Sequence, residues 1–502
     1  MYVFLCHKVT AKPEAETVQI CHFMTMRFHK EISFFVNAIL EMQKAKGEIL
    51  MEKFTDWLMR FGAWAANNKY LASIRDAFMA YMPMTIIGAV GTLWTYVIVD
   101  GNSGLGALIP AVQKLAFLNP LFNALNFCTI GCITIGITFA IGYQIGLRNK
   151  MNAMYAGLIA VASLLIVTNA TVDPASASVA LADGTVKALS EVLPAGAGVG
   201  LLSAIASGSL GATGMFTGMI VGILAVELLN FFNHIEAIKI KLPDSVPPNV
   251  AESFSSLIPS FLAVMIVGLL GYLVHSFTGL YLNDMIFSLV QKPLQNVGGS
   301  FWGGFIFVLV ISLFWCVGLH GNNMTAAIVT PLMTALLLEN EAAVKAGEKA
   351  VNIINSSYWA CFITICGTGI ALGITLAILI ACKRDDNRAI AKLSLLPNLF
   401  NINETVVFGV PVVLNPPMCV GFVLAPLASY VISYVLTAIG FCPVMYINVP
   451  WTTPILVSGF LASGGNIMGA VTQLICLAAV VLIYIPCVKV HEKQQERNEA
   501  AN

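Results

Sequence analysis

Charge is what this sequence has least of. Of 502 residues, 10% are Asp, Glu, Lys or Arg, against roughly 25% in ordinary soluble domains. With 58% hydrophobic residues beside that figure, a soluble enzyme is excluded. The 26 basic and 26 acidic residues cancel, so there is no global positive field to draw in nucleic acid, and no nucleic-acid partner is expected. The 12 cysteines, among them Cys6, Cys128, Cys316, Cys361 and Cys442, are scattered, mostly through apolar runs, without a CxxC pair or metal-ligand spacing. They read as small apolar residues, and neither a metal nor a cofactor is expected. The chain has no GxxxxGK[ST] phosphate loop and no GxSxG elbow, which excludes a self-contained NTPase or hydrolase.

What the sequence does have is long apolar runs. A hydrocarbon core about 30 Å thick needs roughly 20 helical residues, because lipid offers no water to unpaired backbone groups. About ten runs qualify or nearly so: 77–99, 121–147, 152–170, 208–232, 257–279, 301–319, 321–338, 357–382, 416–440 and 463–487. The expected fold is therefore an all-α polytopic membrane protein. Lys and Arg favour the cytoplasmic side. Arg148 and Lys150, Lys239 and Lys241, Lys383, Arg384, Arg388 and Lys392, and Lys489, Lys493 and Arg497 all follow even-numbered spans, so both termini are expected in the cytoplasm. Residues 169–207, with a single Lys187 against Asp173, Asp183 and Glu191, fall on the opposite side, as that rule requires. The seventh run opens on Gly321-Asn322-Asn323 and contains Pro331, a pattern that suits a re-entrant hairpin or broken helix as well as a simple span.

Residues 1–50 differ from the rest, with Lys12, Glu14, Glu16, Arg27, Lys30 and Glu31 and one modest apolar patch at 32–40. They are neither signal peptide nor span. From Met51 an amphipathic pattern begins, Phe54, Trp57, Leu58, Phe61 and Trp64, whose spacing of three and four predicts a helix lying at the interface. Lys46-Gly47-Glu48 can be encoded by AAAGGAGAA, a ribosome-binding sequence just upstream of Met51. The expectation is that Met51 is the true start and 1–50 a translated leader; a cytoplasmic extension is the alternative, and N-terminal mass analysis decides between them.

Polar groups at apolar depth cost several kcal/mol unless they have a partner or a task. Two clusters qualify. One is Trp315-Cys316-Val317-Gly318-Leu319-His320-Gly321-Asn322-Asn323; the other runs from Asn398 through Asn401, Asn403 and Glu404 to Pro411 and on to Asn415-Pro416-Pro417. Amides, an imidazole and a carboxylate together offer the donors and acceptors that sugar hydroxyls need, whereas a metal would ask for more His or carboxylate. Trp315 and Trp451 can present flat apolar faces to a pyranose ring, or serve only as interfacial anchors. Glu404 could also orient a hydroxyl and accept its proton during phosphoryl transfer, with the phosphoryl donor on a separate protein. Glu227 reads as a packing or interfacial carboxylate, His275 as interfacial and His234 as a loop residue.

At these residues the chain resembles the membrane component, enzyme IIC, of the phosphoenolpyruvate-dependent sugar phosphotransferase system, lactose/cellobiose/chitobiose family. The resemblance covers Met51 to about Lys489 and rests on Lys241-Leu242-Pro243-Asp244-Ser245-Val246-Pro247-Pro248, on Gly318-Leu319-His320-Gly321, and on Phe400-Asn401-Ile402-Asn403-Glu404 with Phe408-Gly409 and Leu414-Asn415-Pro416. It implies ten transmembrane helices plus re-entrant hairpins, with spans one to five (51–300) forming a homodimerisation half. Residues 301–490 would form a sugar-binding transport half that moves as an elevator, and 491–502 a polar cytoplasmic tail. The family's sugar-contacting His and Glu fall on His320 and Glu404, its neighbouring Asn on Asn403, and its stacking Trp residues on Trp315 and Trp451. Gly321 and Asn322 complete the expected substrate site, with Glu404 and His320 as its catalytic pair. Thr405 stands where the family commonly has Pro.

The function so implied is a permease of the bacterial cell membrane that imports a β-linked disaccharide and presents its 6-hydroxyl to a phosphorylated IIB subunit, itself charged by IIA. No soluble IIB-like domain of ~100 residues fits in this chain. The other reading is an ion-coupled secondary sugar transporter with Glu404 as coupling site and His320 as its relay.

Overall fold

The computed structural model describes residues 47–501, apart from 102–103, 170, 173–177, 181–185, 189–201, 204, 206, 244 and 411. The expected leader, all but its last four residues, lies outside the described residues. Helix α1 (Gly47–Asn67) carries the interfacial pattern, and its Trp57, Phe61 and Trp64 are exposed. Phe61 stacks on Phe314, ring centroids 6.3 Å apart.

The N-terminal bundle is built from regular helices: α2 (Lys69–Leu93), α3 (Asn119–Asn126), α4 (Ile133–Arg148), α5 (Ala153–Val167), α6 (Met215–Asn233) and α7 (Leu257–Thr278). Asn side chains start two of them, since Asn68 accepts from Tyr70 and Leu71 N–H, and Asn152 from Tyr155 N–H, satisfying donors a helix leaves open. Gly279, at φ +74, ends α7 in the left-handed cap that glycine adopts without strain. The core is Ile74, Ile133, Ile137, Ile141, Ile145, Ala156, Ala160 and Met219 among others. Small residues let the helices approach: a Cβ at Gly142 would sit 2.6 Å from that of Ala160, and one at Gly218 would sit 2.2 Å from Thr138 Oγ1. One end of this bundle carries its charges, Lys69 on Glu227 at 2.7 Å and Arg148 on Asp76 at 2.6 Å. Glu227 is thus the packing carboxylate the sequence suggested.

The C-terminal region has a separate core drawn from Val308 to Val488. Its helices are α8 (Phe301–Cys316), α9 (Gly321–Lys345), α10 (Ala371–Ala381), α11 (Asp385–Leu399), α12 (Glu404–Gly409), α13 (Pro416–Ala438) and α14 (Ile467–Ala501). Helix α9 joins the two regions, because its Ala327, Ala335 and Leu338 pack into the N-terminal core while Val329, Leu332 and Leu336 pack into the other. Near its end Glu341, 2% exposed, accepts from Thr92 Oγ1 at 2.7 Å and from Asn126 Nδ2 at 2.8 Å, and pairs with Lys345 one turn on, also at 2.8 Å.

Among the described residues, seven helices are long and apolar enough to cross a membrane, eight if the pair Leu282–Gly298 and Phe301–Cys316, bent by 73°, is one span. Two of the ten runs come out as shorter apolar helices, α5 and α10. The irregular backbone is not where Pro331 suggested, and that expectation is corrected: α9 runs unbroken for 25 residues with Pro331 inside it. A proline removes one helical donor and its ring displaces one carbonyl, which a flanked helix tolerates. The break falls instead in the run read as 357–382, where Cys366, Gly367, Gly369 and Ile370 all have φ between 55 and 88°. The fold is all-helical as expected, save for two small antiparallel ribbons of two to three residues per strand, β1 (Thr171–Val172) with β4 (Leu202–Ser203) and β2 (Ser178–Ala180) with β3 (Val186–Ala188).

Candidate functional site

Three irregular segments converge in the C-terminal region. The first is the turn between α8 and α9. Gly318 takes φ +83, reversing the chain, and Gly321 lies so close to α8 that a Cβ there would stand 2.1 Å from the Ile311 carbonyl oxygen. Between them His320 is the N-cap of α9, its Nδ1 accepting from Asn323 N–H at 3.3 Å. An acceptor at Nδ1 places the proton of a neutral imidazole on Nε2, where it can donate to an incoming hydroxyl. The ring lies 4.6 Å from that of Trp315, tilted by 50°.

The second segment is the left-handed stretch 366–370. Thr368 Oγ1 accepts from Asn322 Nδ2 at 3.3 Å, and its carbonyl accepts from Asn403 Nδ2 at 3.1 Å. A Cβ at Gly367 would lie 2.5 Å from that of Asn403, and one at Gly369 would lie 2.2 Å from the Phe422 ring; both positions have φ near +80, so glycine is required twice over.

The third is 401–404, between α11 and α12. Asn403 is buried, 6% exposed, while Glu404 opens α12 with an exposed side chain. The Glu404 carboxylate is near enough to act electrostatically on the His320 ring.

Sequence reasoning thus named residues that the fold brings together: Trp315, His320, Gly321, Asn322, Asn403 and Glu404 lie on these converging segments. Trp451 is joined differently. Its carbonyl accepts from Asn401 Nδ2, and its indole is 52% exposed. Of the residues expected to form the site, two carry a buried polar atom without a hydrogen-bond partner, Trp315 Nε1 and Asn322 Oδ1. One is a donor and the other an acceptor, each on a residue expected to meet sugar. Buried groups of this kind cost about 1–3 kcal/mol each when left unmade, which is what a polyhydroxyl ligand could relieve. Among the described residues no cluster of three or more His, Cys, Asp or Glu could hold a metal ion.

Sequence reasoning missed Thr368 and gave Asn401 no role of its own. Gly367-Thr368-Gly369 inside an apolar run was the available signal, since two glycines in three residues argue against a straight helix.

Comparison with known proteins places the chain. The family model "Phosphotransferase system, EIIC" matches residues 75–426. The oligo-beta-mannoside-specific EIIC component of Bacillus subtilis is 31% identical over 446 residues, 88% of this chain and 94% of that one. The cellobiose-specific EIIC component of Geobacillus stearothermophilus is 28% identical over 451 residues, covering 89% and 95%. A solved structure, the IIC component from the N,N'-diacetylchitobiose-specific phosphotransferase system, superposes with a TM-score of 0.78 at 28% identity, covering 89% of this chain and 98% of that chain.

Proposed function

The chain belongs to the phosphotransferase system EIIC family, and on that premise we propose that it imports a β-linked disaccharide and holds it for phosphorylation at the 6-hydroxyl by a phosphorylated IIB subunit. The permease assignment and the β-linked class follow relatives specific for oligo-β-mannoside, cellobiose and chitobiose. Membership of that family argues against the ion-coupled reading. The observation that carries the assignment of residues is the His320 cap: with Nδ1 engaged by Asn323 N–H, Nε2 is left as a donor beside the Trp315 ring and within the field of Glu404.

In this reading Trp315 and Trp451 stack on the sugar, Asn322 and Asn403 bond its hydroxyls, and His320 donates to one of them. Glu404 accepts the 6-hydroxyl proton as that oxygen attacks the phosphoryl group, a role suited to an exposed carboxylate. IIB and its upstream IIA dock from the cytoplasm of a bacterial cell. Two copies pair through the N-terminal bundle, and the C-terminal region carries the sugar across by moving against it. Phosphorylation traps the product inside, so no ion gradient is needed.

The test is sugar-6-phosphate formation by membranes containing the protein, supplied with phosphoenolpyruvate, the general phosphotransfer proteins, IIA and IIB, across cellobiose, N,N'-diacetylchitobiose, lactose and a β-mannobiose. Product that requires both IIB and this chain is the expected result. Accumulation of unmodified sugar that collapses with an uncoupler would overturn it in favour of ion coupling.

A further inference from the structure

Asn401 is the residue at which the irregular segments meet. It follows α11 and sits at φ 64, in the left-handed region where Asn is one of the few side chains tolerated. Its N–H bonds back to Asn398 O at 3.1 Å and that of Ile402 to Pro397 O at 3.1 Å, the pattern of a helix ending on a left-handed cap. A cap needs only the backbone, and glycine would serve as well. The side chain does something else. Oδ1 accepts from Cys366 N–H, which fixes the start of the left-handed stretch 366–370. Nδ2 donates to the Trp451 carbonyl and, at 3.3 Å, to that of Thr453. One amide therefore ties together three segments separated by 35 and 50 residues.

Through Cys366 the bond reaches further. Two residues on, Thr368 holds both Asn322 and Asn403, so the backbone that Asn401 anchors sets the position of two site amides. Through Trp451 it sets the loop carrying a stacking indole. We propose that Asn401 is a positioning residue, a brace that keeps Asn322, Asn403 and Trp451 in register for the sugar without touching it. The inference rests on the assignment of those three residues to sugar contact.

Asn401→Gly separates the two functions of the residue, since glycine keeps the left-handed cap and removes the amide. Asn401→Asp is the second variant: it keeps the acceptor for Cys366 N–H and sets a carboxylate oxygen against the Trp451 and Thr453 carbonyls. Full-length protein in lipid nanodiscs is assayed with cellobiose, N,N'-diacetylchitobiose and lactose for KM and kcat of IIB-dependent phosphorylation, and by deuterium uptake of segments 364–370 and 450–456 without sugar. Asn401→Gly should raise KM about tenfold or more with kcat within about threefold, because binding geometry and not proton transfer is disturbed. Uptake should rise in both segments in that variant, and mainly in 450–456 for Asn401→Asp. Should Asn401→Gly fail to yield folded protein, the Asp variant decides by the same KM criterion.

A KM within twofold of wild type in the folded variants overturns the brace and leaves Asn401 a helix cap, even if uptake rises. Wild-type protein that forms no sugar phosphate with any of the three sugars is a different failure, that of the functional assignment.

Discussion

The two cores of this protein solve the same problem in opposite ways. In the N-terminal bundle the backbone is mostly satisfied within helices, interrupted by π turns at Trp94–Ile98 and Phe127–Gly131, and the helices approach through glycine and alanine, as at Gly142 against Ala160. In the C-terminal region the helices are interrupted, and side chains satisfy the backbone that the interruptions expose. Asn340 accepts from Val351 and Asn352 N–H and donates to the Asn352 and Met445 carbonyls. Gln473 serves Leu456, Gly459 and Cys361 in the same way. Among the described residues, five of the six non-glycine positions with positive φ lie here, namely Cys366, Ile370, Asn401, Leu414 and Leu456, with only Lys150 in the other region. Irregular backbone at membrane depth survives only where protein covers its polar groups, and it is what lets the ends of several elements aim at one point. On the proposed assignment, the regular bundle supports and the interrupted region carries the site.

The sharpest way to break that contrast is Glu404→Gln, which keeps the side-chain shape and removes the base. Phosphorylation should fall about 100-fold or more at unchanged expression, the range a general base supplies; wild-type turnover would remove Glu404 from the chemistry and with it the claim that the interrupted region carries it. Next comes a pair of identical substitutions. Gly369→Ala places a methyl 2.2 Å from the Phe422 ring at φ +77, whereas Gly279→Ala has the same backbone strain at φ +74 and nothing within 4 Å. Strain of about 1–2 kcal/mol is common to both, and overpacking adds about 1–3 kcal/mol to the first alone. Thermal unfolding of the purified variants should therefore rank Gly369→Ala well below Gly279→Ala, and equal midpoints would mean the C-terminal core relaxes as easily as a loop.

Trp315→Ala should weaken sugar binding about tenfold, in the range of a lost aromatic contact, with normal membrane insertion. Unchanged affinity would return Trp315 to packing. The smallest expected effect lies at the exposed tie between α11 and the end of α14, where Arg384 meets Asp386 and Glu499 at 2.8 Å each. Its hydrogen bonds from the Arg384 guanidinium hold the Asp386 carboxyl below the usual carboxylate range. A depressed pKa contributes stability above about pH 4 that is lost as pH falls below it, and solvent screening limits this to about 0.5 kcal/mol. Protection of amides near Asp386, corrected for the intrinsic exchange rate at each pH, should fall between pH 5 and 3, and Asp386→Asn should abolish that dependence.

Much of this was legible in the text of the chain. Apolar runs marked the helices, since a span needs one uniform signal over many residues. Polar clusters marked segments that the fold brings together, because polar groups such as His320, Asn403 and Glu404 stand out against apolar runs. Two things were not legible. Proline at 331 suggested a break that a well-flanked helix absorbs, while the true break rests on two left-handed pairs, 366–367 and 369–370, whose members Cys366 and Ile370 carry no sequence signature for that conformation. Asn401 was visible as one amide among several; its ties to Cys366 and Trp451, 35 and 50 residues away, are contacts that periodicity does not encode.

The Glu341 contact has a consequence for how the molecule responds to voltage. Its neutral partners, Thr92 and Asn126, belong to the N-terminal bundle, but its cation, Lys345, sits one turn away on the same helix α9. Any displacement of α9 against the bundle breaks the neutral hydrogen bonds and carries carboxylate and ammonium together. The pair has no net charge, so it contributes no gating charge, where a lone carboxylate crossing the membrane field would couple at about 2.3 kcal/mol per 100 mV. In the proposed movement of the C-terminal region against the bundle, this contact would therefore add no dependence on membrane potential, in keeping with the proposed trapping of sugar by phosphorylation.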